Sequence, residues 1–387
     1  MIYIDNSATT RPYPEVTDLM VKYMNEDFGN PSSLYQLGVD AEKAIKNARK
    51  QVMRAMGVTD GSVYFTSCGT EADNMAFFGA ARALRRVGNR IVTSCVEHPA
   101  ILECCKRLEA DGFDVVYIDV DDKCRLDEEQ LERAINEETI LVSLMQVNNE
   151  TGTIMPTNKV KQIMKDKGAP GLFHSDCVQS FGKLSLPTDA DLISISGHKI
   201  HGPKGIGALY IKKGVNLPAY IVGGGQESGK RSGTENVAAI AGFGLAAEMT
   251  SKNRKQDMGV MTEIRQALID GLKANLDDIM INSPEDVGEK PGMGCASVLN
   301  VTFKNTRGEV ILHTLEQDQI YLSTGSACSS NKSGQSHVLS AMGLKQKDIT
   351  GALRISLGRF NSVEEVDEII EKVTAAVNRF RKLGSFR

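Results

Sequence analysis

Apolar and polar positions along this chain follow two rhythms, and the balance between them changes once. After a first strand, "MIYID", and a loop rich in Pro, Asn and Gly, helical periodicity begins near Leu37. From there, short apolar runs bounded by turn residues are each followed by a longer stretch with apolar residues three and four apart. "SVYFTS" leads into "TEADNMAFFGAARALRR", and "NRIVTSCVEH" into "PAILECCKRLEADG". "DVVYIDV" leads into "LDEEQLERAINEE", where Asp127 has the chemistry of an N-cap with Gln130 three residues on. "TILVSLMQVNN" precedes "NKVKQIMKDKG", and "GLFHSD" and "ADLISIS" come next. Strands alternating with amphipathic helices predict βαβ units and a doubly wound, mostly parallel sheet.

From about residue 256 the pattern changes. A long polar helix is predicted to near 276, and "ASVLNVTF" and "GALRISLG" then read as strands of a smaller unit. The last helix follows Ser362, with Glu365 completing a capping box and Val366, Ile370, Val373, Val377 and Phe380 on one face. The expected fold is α/β. A large domain spans 15–255, and a smaller α+β domain takes 1–14 and 256–387.

The bulk numbers fit this reading. The chain has 387 residues, 41% hydrophobic and 24% charged, which is enough for one large domain and a smaller one. A net charge of −4, with Lys and Arg scattered singly or in short pairs, gives no reason to expect nucleic acid. No uncharged apolar run approaches the ~18 residues that suggest a membrane span. "MIYIDNSATT" carries no basic leader before an apolar stretch, so a cytoplasmic protein is expected. Eight cysteines, at 68, 95, 104, 105, 124, 177, 295 and 328, include no C-x-x-C pair. Reduced thiols are therefore expected, and neither a metal site nor a disulfide framework.

In a parallel α/β sheet, ligands sit beyond the carboxyl ends of the strands, so the residues there carry the candidate chemistry. After "SVYFTS" comes Cys68-Gly69-Thr70-Glu71, opening a helix whose free N–H groups could seat a phosphate or serve merely as a helix start. After "RIVTSCVE" comes His98, ahead of Pro99. After "TILVSLMQV" come Asn148, Asn149 and Glu150, and after "GLFHS" come Asp176 and Gln179. The strongest local signal is "SISGHKIHGPKGIGALY", where Ser196, His198, Lys199 and His201 occupy a Gly/Pro-rich connection. A lysine beside a bound phosphate and other cations has the lowered pKa that a Schiff base needs. An incidental lysine, as Lys204 could be, is the plain alternative. Together these parts fit pyridoxal phosphate, which needs a phosphate cradle, an imine-forming lysine and an acid facing the pyridine nitrogen. At about 4 Å and an effective dielectric of about 20, a carboxylate such as Asp176 stabilises that protonated nitrogen by roughly 4 kcal/mol.

One segment does not fit a packed fold. "STGSACSSNKSGQS" sets Cys328 among Ser, Thr and Gly, where composition predicts a mobile surface loop. A thiol there is an oxidation liability unless it is used. Tethered at both ends, such a loop could carry its tip about 18 Å at about 3.3 Å per residue.

"YIDNSATT", "GNPSSL", "TSCGTEADN", "EHPA", "VNNETG", "FHSDCVQS", "SGHKIHGPKGIGALY", "GGGQESGKRSGTEN", "SACSS" and "LRISLGRF" together resemble the cysteine desulfurases, in order from residue 3 to about 361. These belong to the class V aminotransferase-like group of fold-type I pyridoxal-phosphate enzymes. The resemblance implies removal of sulfur from L-cysteine to leave L-alanine and a persulfide on Cys328. That sulfur then passes to an acceptor protein for iron–sulfur cluster assembly or tRNA thiolation. It implies Lys199 as the Schiff-base lysine, His98 stacked on the ring, Asp176 at the pyridine nitrogen and Gln179 at the ring hydroxyl. Asn149 would lie near that hydroxyl and the substrate. Gly69, Thr70, Ser196 and His198 would hold the phosphate, joined by Thr234 from a neighbouring subunit in a homodimer. Arg354 would grip the substrate carboxylate, a planar bidentate task. Tyr35, Cys68 and Cys177 depart from the usual pattern, as does "NKSGQ" after Cys328, which leaves the acceptor open.

A transaminase or selenocysteine lyase would share the cofactor, but a transaminase has no use for Cys328. A non-catalytic sulfur-trafficking scaffold would have no need of Lys199, His98, Asp176 and Cys328 together.

Overall fold

The computed structural model describes residues 1–325, 336–382 and 384. Among these residues, twelve strands are distributed over three sheets. The large sheet contains β2 (Ser62–Thr66), β3 (Arg90–Ser94), β4 (Asp114–Ile118), β5 (Thr139–Ser143), β6 (Leu172–Asp176), β7 (Leu192–Ser196) and β8 (Gly207–Ile211). Their order across it is β2-β8-β7-β6-β5-β3-β4. Only β8 runs against the others, pairing antiparallel with both β2 and β7. The carboxyl ends of the remaining six strands therefore share one edge. Strands β5, β7 and β8 are buried along their whole length, which accounts for their lack of apolar–polar alternation.

The smaller sheet has the order β12-β10-β9, all antiparallel, from β9 (Ile279–Ile281), β10 (Val298–Phe303) and β12 (Ala352–Ser356). At the start of the chain, β1 (Ile2–Tyr3) pairs parallel with β11 (Ile320–Tyr321). This pairing brings Ile2 and Ile4 into the core that β10 and β12 line. The next residues, Asp5 to Thr10, cross toward the edge of the large sheet, where Thr10 N–H donates to the His198 carbonyl at 2.9 Å.

Two helical expectations change. A helix, Pro14–Asn25, lies within the stretch read as loop, with Pro14 in its first turn, where a missing N–H costs nothing. The helix expected from residue 256 is the second part of one helix, Val237–Asn275. Its first part is rich in Ala and Gly, so the helical stripe gives way to a nearly continuous buried surface. There Ala239, Ile240, Phe243 and Ala246 sit in the core of the large sheet. Its second part places Met261, Ile264, Leu268 and Leu272 in the other core. A Cβ on Gly244 would come 2.6 Å from the Ala48 backbone, so glycine lets this helix lie directly against Gln36–Met56.

The predicted caps form, with one difference. Asp127 accepts from Gln130 N–H at 2.9 Å, but the Gln130 side chain accepts from Asp119 N–H at 2.6 Å instead of closing a box. The Ser362–Glu365 capping box is complete. On the last helix, Val366, Val373 and Val377 are buried, with Ile370 and Phe380 packed at the margin of that core. Among the described residues, no helix is long and apolar enough to cross a membrane.

Candidate active site

The shared strand edge of the large sheet borders a cavity of about 220 Å³. After β2 the chain turns at Cys68 into the helix Gly69–Leu84. Cys68 supplies no side-chain cap to that helix, which leaves first-turn N–H groups facing the cavity at the positive end of the helix dipole. A Cβ on Gly69 would stand 2.9 Å from Val178, so only glycine fits where turn and sheet meet. Thr70, Ser196 and His198 line the cavity beside it.

After β3, His98 caps the helix Pro99–Ala110, and its Nδ1 accepts from Ala100 N–H at 3.2 Å. Burial, then the nearby Lys199 and His337, pushes this imidazole down to about 4. It is therefore neutral near pH 7, with its proton on Nε2. After β5, the turn delivers Asn149 to the cavity. At the end of β6, Asp176 accepts from Val178 N–H at 2.9 Å. Burial pushes this carboxyl up to about 6, against the opposing effects of that hydrogen bond and Lys199. After β7, a single turn, Gly197–Lys199, places Lys199, whose Nζ donates to the Ser7 and Ala8 carbonyls at 2.6 and 2.8 Å. His198 Nδ1 meets Thr9 Oγ1 at 3.2 Å, and burial, then Lys199 and Lys204, pushes this ring down to about 4.

Arg354 reaches the cavity from β12. It donates to the Asn149 carbonyl at 3.0 Å and to Asp5 at 2.9 Å. The structure thus brings together Gly69, Thr70, His98, Asn149, Asp176, Gln179, Ser196, His198, Lys199 and Arg354. It does not bring Thr234 to them: that residue is exposed on the loop after β8 and does not line the cavity. Cys328 lies outside the described residues, although Gly325, three residues before it, lines the cavity.

The donor set suits pyridoxal phosphate. Among the described residues, Ser196 Oγ, Gln179 Oε1 and Arg354 Nε are buried without a hydrogen-bonding partner, an arrangement that costs free energy unless a ligand completes it. These atoms, with the N–H groups at Gly69, supply anion and hydroxyl partners around Lys199, the single lysine among the described residues that lines the cavity.

Sequence reasoning passed over Ser7 and Ala8, whose carbonyls hold Lys199, and Asp73, a buried carboxyl in the same wall. "DNSATT" stood among the matching segments, but it follows the first strand as loop, with no periodicity to indicate where it folds. Asp73 sits in a helix otherwise read by its apolar stripe.

The sequence matches the family described as Aminotransferase class-V over residues 2–369. It is 42% identical over 387 residues to "Cysteine desulfurase IscS" of Methanosarcina thermophila, covering 99% of this chain and 93% of that protein. It is 40% identical over 386 residues to the protein of the same name from Clostridium botulinum, covering 99% and 96%. Among solved structures, a "NifS-like protein" superposes with a TM-score of 0.90 at 37% identity, covering 98% of this chain and 99% of that one. "SspA in complex with cysteine" superposes with a TM-score of 0.80 at 31% identity, covering 93% and 100%.

Proposed function

The chain belongs to the class V aminotransferase family, as a cysteine desulfurase, and from that premise we propose which of its residues carry the reaction. The activity is pyridoxal-phosphate-dependent release of sulfur from L-cysteine, leaving L-alanine, with sulfur passed to acceptor proteins. The bound cofactor supplies a covalent handle for the amino group and an electron sink for Cα.

Lys199 would hold the cofactor covalently and move the proton at the substrate Cα. Its Nζ is prepositioned by the Ser7 and Ala8 carbonyls. His98 would pack a neutral imidazole against the ring and offer Nε2–H to the substrate side. Asp176 would pair with the ring nitrogen, and Gln179 Oε1 with Asn149 would meet the ring hydroxyl. Ser196, His198, Thr70 and the Gly69 backbone would hold the phosphate. Arg354 would take the substrate carboxylate through its Nε, which has no hydrogen-bond partner among the described residues. Cys328 attacks the sulfur as a thiolate: an S–S bond forms, the Cβ–S bond breaks, and carbon regains a proton as alanine.

The observation that carries this assignment is the unsatisfied set Ser196 Oγ, Gln179 Oε1 and Arg354 Nε around Lys199 in one cavity. Thr234 completing the phosphate site of a second copy in a homodimer belongs to the same proposal. So does delivery of the sulfur to an iron–sulfur scaffold or a tRNA-thiolating enzyme.

The test is an absorbance spectrum of the purified protein before and after L-cysteine and a reductant, with alanine and sulfide assayed together. A cofactor band that shifts with cysteine, yielding alanine and sulfide in equal amounts, is the expected result. Lys199→Ala should lose covalent fixation of the cofactor by borohydride, and activity by about 10³-fold or more. Retention of both by that variant would overturn the assignment of Lys199.

A further inference from the structure

Behind Asp176 the large sheet presents a polar wall where an apolar one would be expected. Alternate positions on three adjacent strands, Ser143 on β5, His174 and Asp176 on β6, and Ser194 and Ser196 on β7, share one face under the helix Gly69–Leu84. That helix answers with Asp73, only 2% exposed and lining the same cavity as Asp176. Among the described residues its Oδ1 has no hydrogen-bond partner, and the nearest basic group, His174 Nε2, is 3.7 Å away.

His174 is not a cation here. Ser143 Oγ meets its Nδ1 at 2.8 Å and Ser194 Oγ meets its Nε2 at 2.9 Å, so two hydroxyls satisfy a neutral ring. Burial pushes that imidazole down to about 3. Among the described residues, the other titratable groups around Asp73 are Asp176, Glu97, Cys68, Cys104 and Cys177, none of which brings a positive charge. Lys199 bears on Asp176, which also has the Val178 N–H, whereas Asp73 has the Ser194 hydroxyl alone. Two buried carboxylates facing one cavity cannot both ionise without a cation for each. The charge goes to the one with the better partners.

We propose that Asp73 is a positioning residue kept as a neutral carboxylic acid, so that the single negative charge of the pair sits on Asp176, opposite the cofactor's ring nitrogen. The role rests on the assignment of Asp176 above, but the protonation of Asp73 stands on the buried wall itself. Burial and the charge of Asp176 both raise the Asp73 pKa, in the same direction.

The test is isotope-edited infrared spectroscopy at pH 7 on the full chain labelled with [carboxyl-13C]aspartate, with and without bound pyridoxal phosphate. Aspartate labelling keeps Glu97 and Glu150, both buried acids with raised pKa values, out of the signal. The expected result is a protonated-carboxyl band in the wild type that disappears in Asp73→Asn. No such band in the wild type would overturn the proposal, as would a band that survives in Asp73→Asn. Should Asp73→Asn fail to fold, Asp73→Glu decides instead, since it keeps an acid at this place but takes it out of the aspartate label: a band that vanishes there belongs to Asp73, and one that persists overturns the proposal. A protein that binds the cofactor and makes sulfide but lacks the band would lose this inference and keep the desulfurase mechanism.

Discussion

Arg231 grips Glu71 with two hydrogen bonds, from Nε at 2.8 Å and from NH2 at 3.2 Å. Glu71 lies in the first turn of the phosphate-facing helix and also accepts from Ser67 N–H at 2.7 Å. Arg231 belongs to the loop that carries Thr234, and the same loop is pinned at Glu227 by Arg49 through bonds of 2.7 and 2.8 Å. One loop therefore couples the turn proposed to seat the phosphate to Thr234, the residue proposed to serve a second subunit.

Glu71→Gln should release the loop without removing any group that contacts the cofactor. The pair is partly buried and held by two bonds, so about 1 kcal/mol is at stake, or about a fivefold loss of pyridoxal-phosphate affinity. Fluorescence titration of cofactor-stripped protein checks this. Unchanged affinity in both Glu71→Gln and Arg231→Ala would remove the coupling role.

Arg354→Ala should raise KM for L-cysteine by about 10²-fold, the scale for deleting one partner of a buried charge pair, with the resting cofactor spectrum unchanged. Steady-state kinetics beside the absorbance spectrum separates the two effects. A loss confined to kcat would contradict carboxylate binding.

Cys328→Ala should keep the spectral response to L-cysteine and lose sulfide release by at least about 10³-fold, the scale for deleting a catalytic nucleophile. The buried thiols of Cys104 and Cys177 are pushed up to about 12, and those of Cys105 and Cys124 rise for the same reason. These four should resist alkylation near neutral pH in the folded chain, as peptide mass mapping can check. Loss of activity on modifying one of them before Cys328 would reverse the assignment.

Glu97 should make the protein less stable as pH rises from its ordinary 4.5 to about 8. It is fully buried, accepts from Ser94 Oγ and Met145 N–H, and burial pushes its carboxyl up to about 8 from the ordinary 4.5. The folded chain then holds a proton that the unfolded chain gives up, so stability present at low pH is lost as pH rises through the folded value. Glu150, pushed up to about 7, adds in the same sense. The buried histidines His98, His174, His198 and His201 act oppositely, their contribution being lost as pH falls below about 6.5. Between pH 6.5 and 8 the carboxylates prevail, and Glu97 alone accounts for about 1.5 kcal/mol. Glu97→Gln, which mimics the neutral acid, should flatten that slope in denaturant titrations. An unchanged slope would place the proton elsewhere.

Much of this molecule is local in origin. Short apolar runs bounded by turn residues, such as "TILV", form strands, and Asp127, Ser362 and Glu365 cap helices through bonds spanning three residues. The order of strand ends, with Gly69, His98, Asn149, Asp176 and Lys199 following their strands, was legible for the same reason: a parallel sheet fixes where each strand's next residues go. The start of the helix at Val237 was not legible, because an Ala- and Gly-rich face buried all round has no stripe to detect. Nor was the place of Ser7 and Ala8, which reach Lys199 across more than 190 residues of chain. Asp73 shows the same limit: a carboxyl becomes a buried acid only when packing removes water and withholds a cation. Sequence alone determined which groups this protein carries and which strands present them. Tertiary packing decided their charge states and their partners, since burial and proximity are properties of the assembled chain.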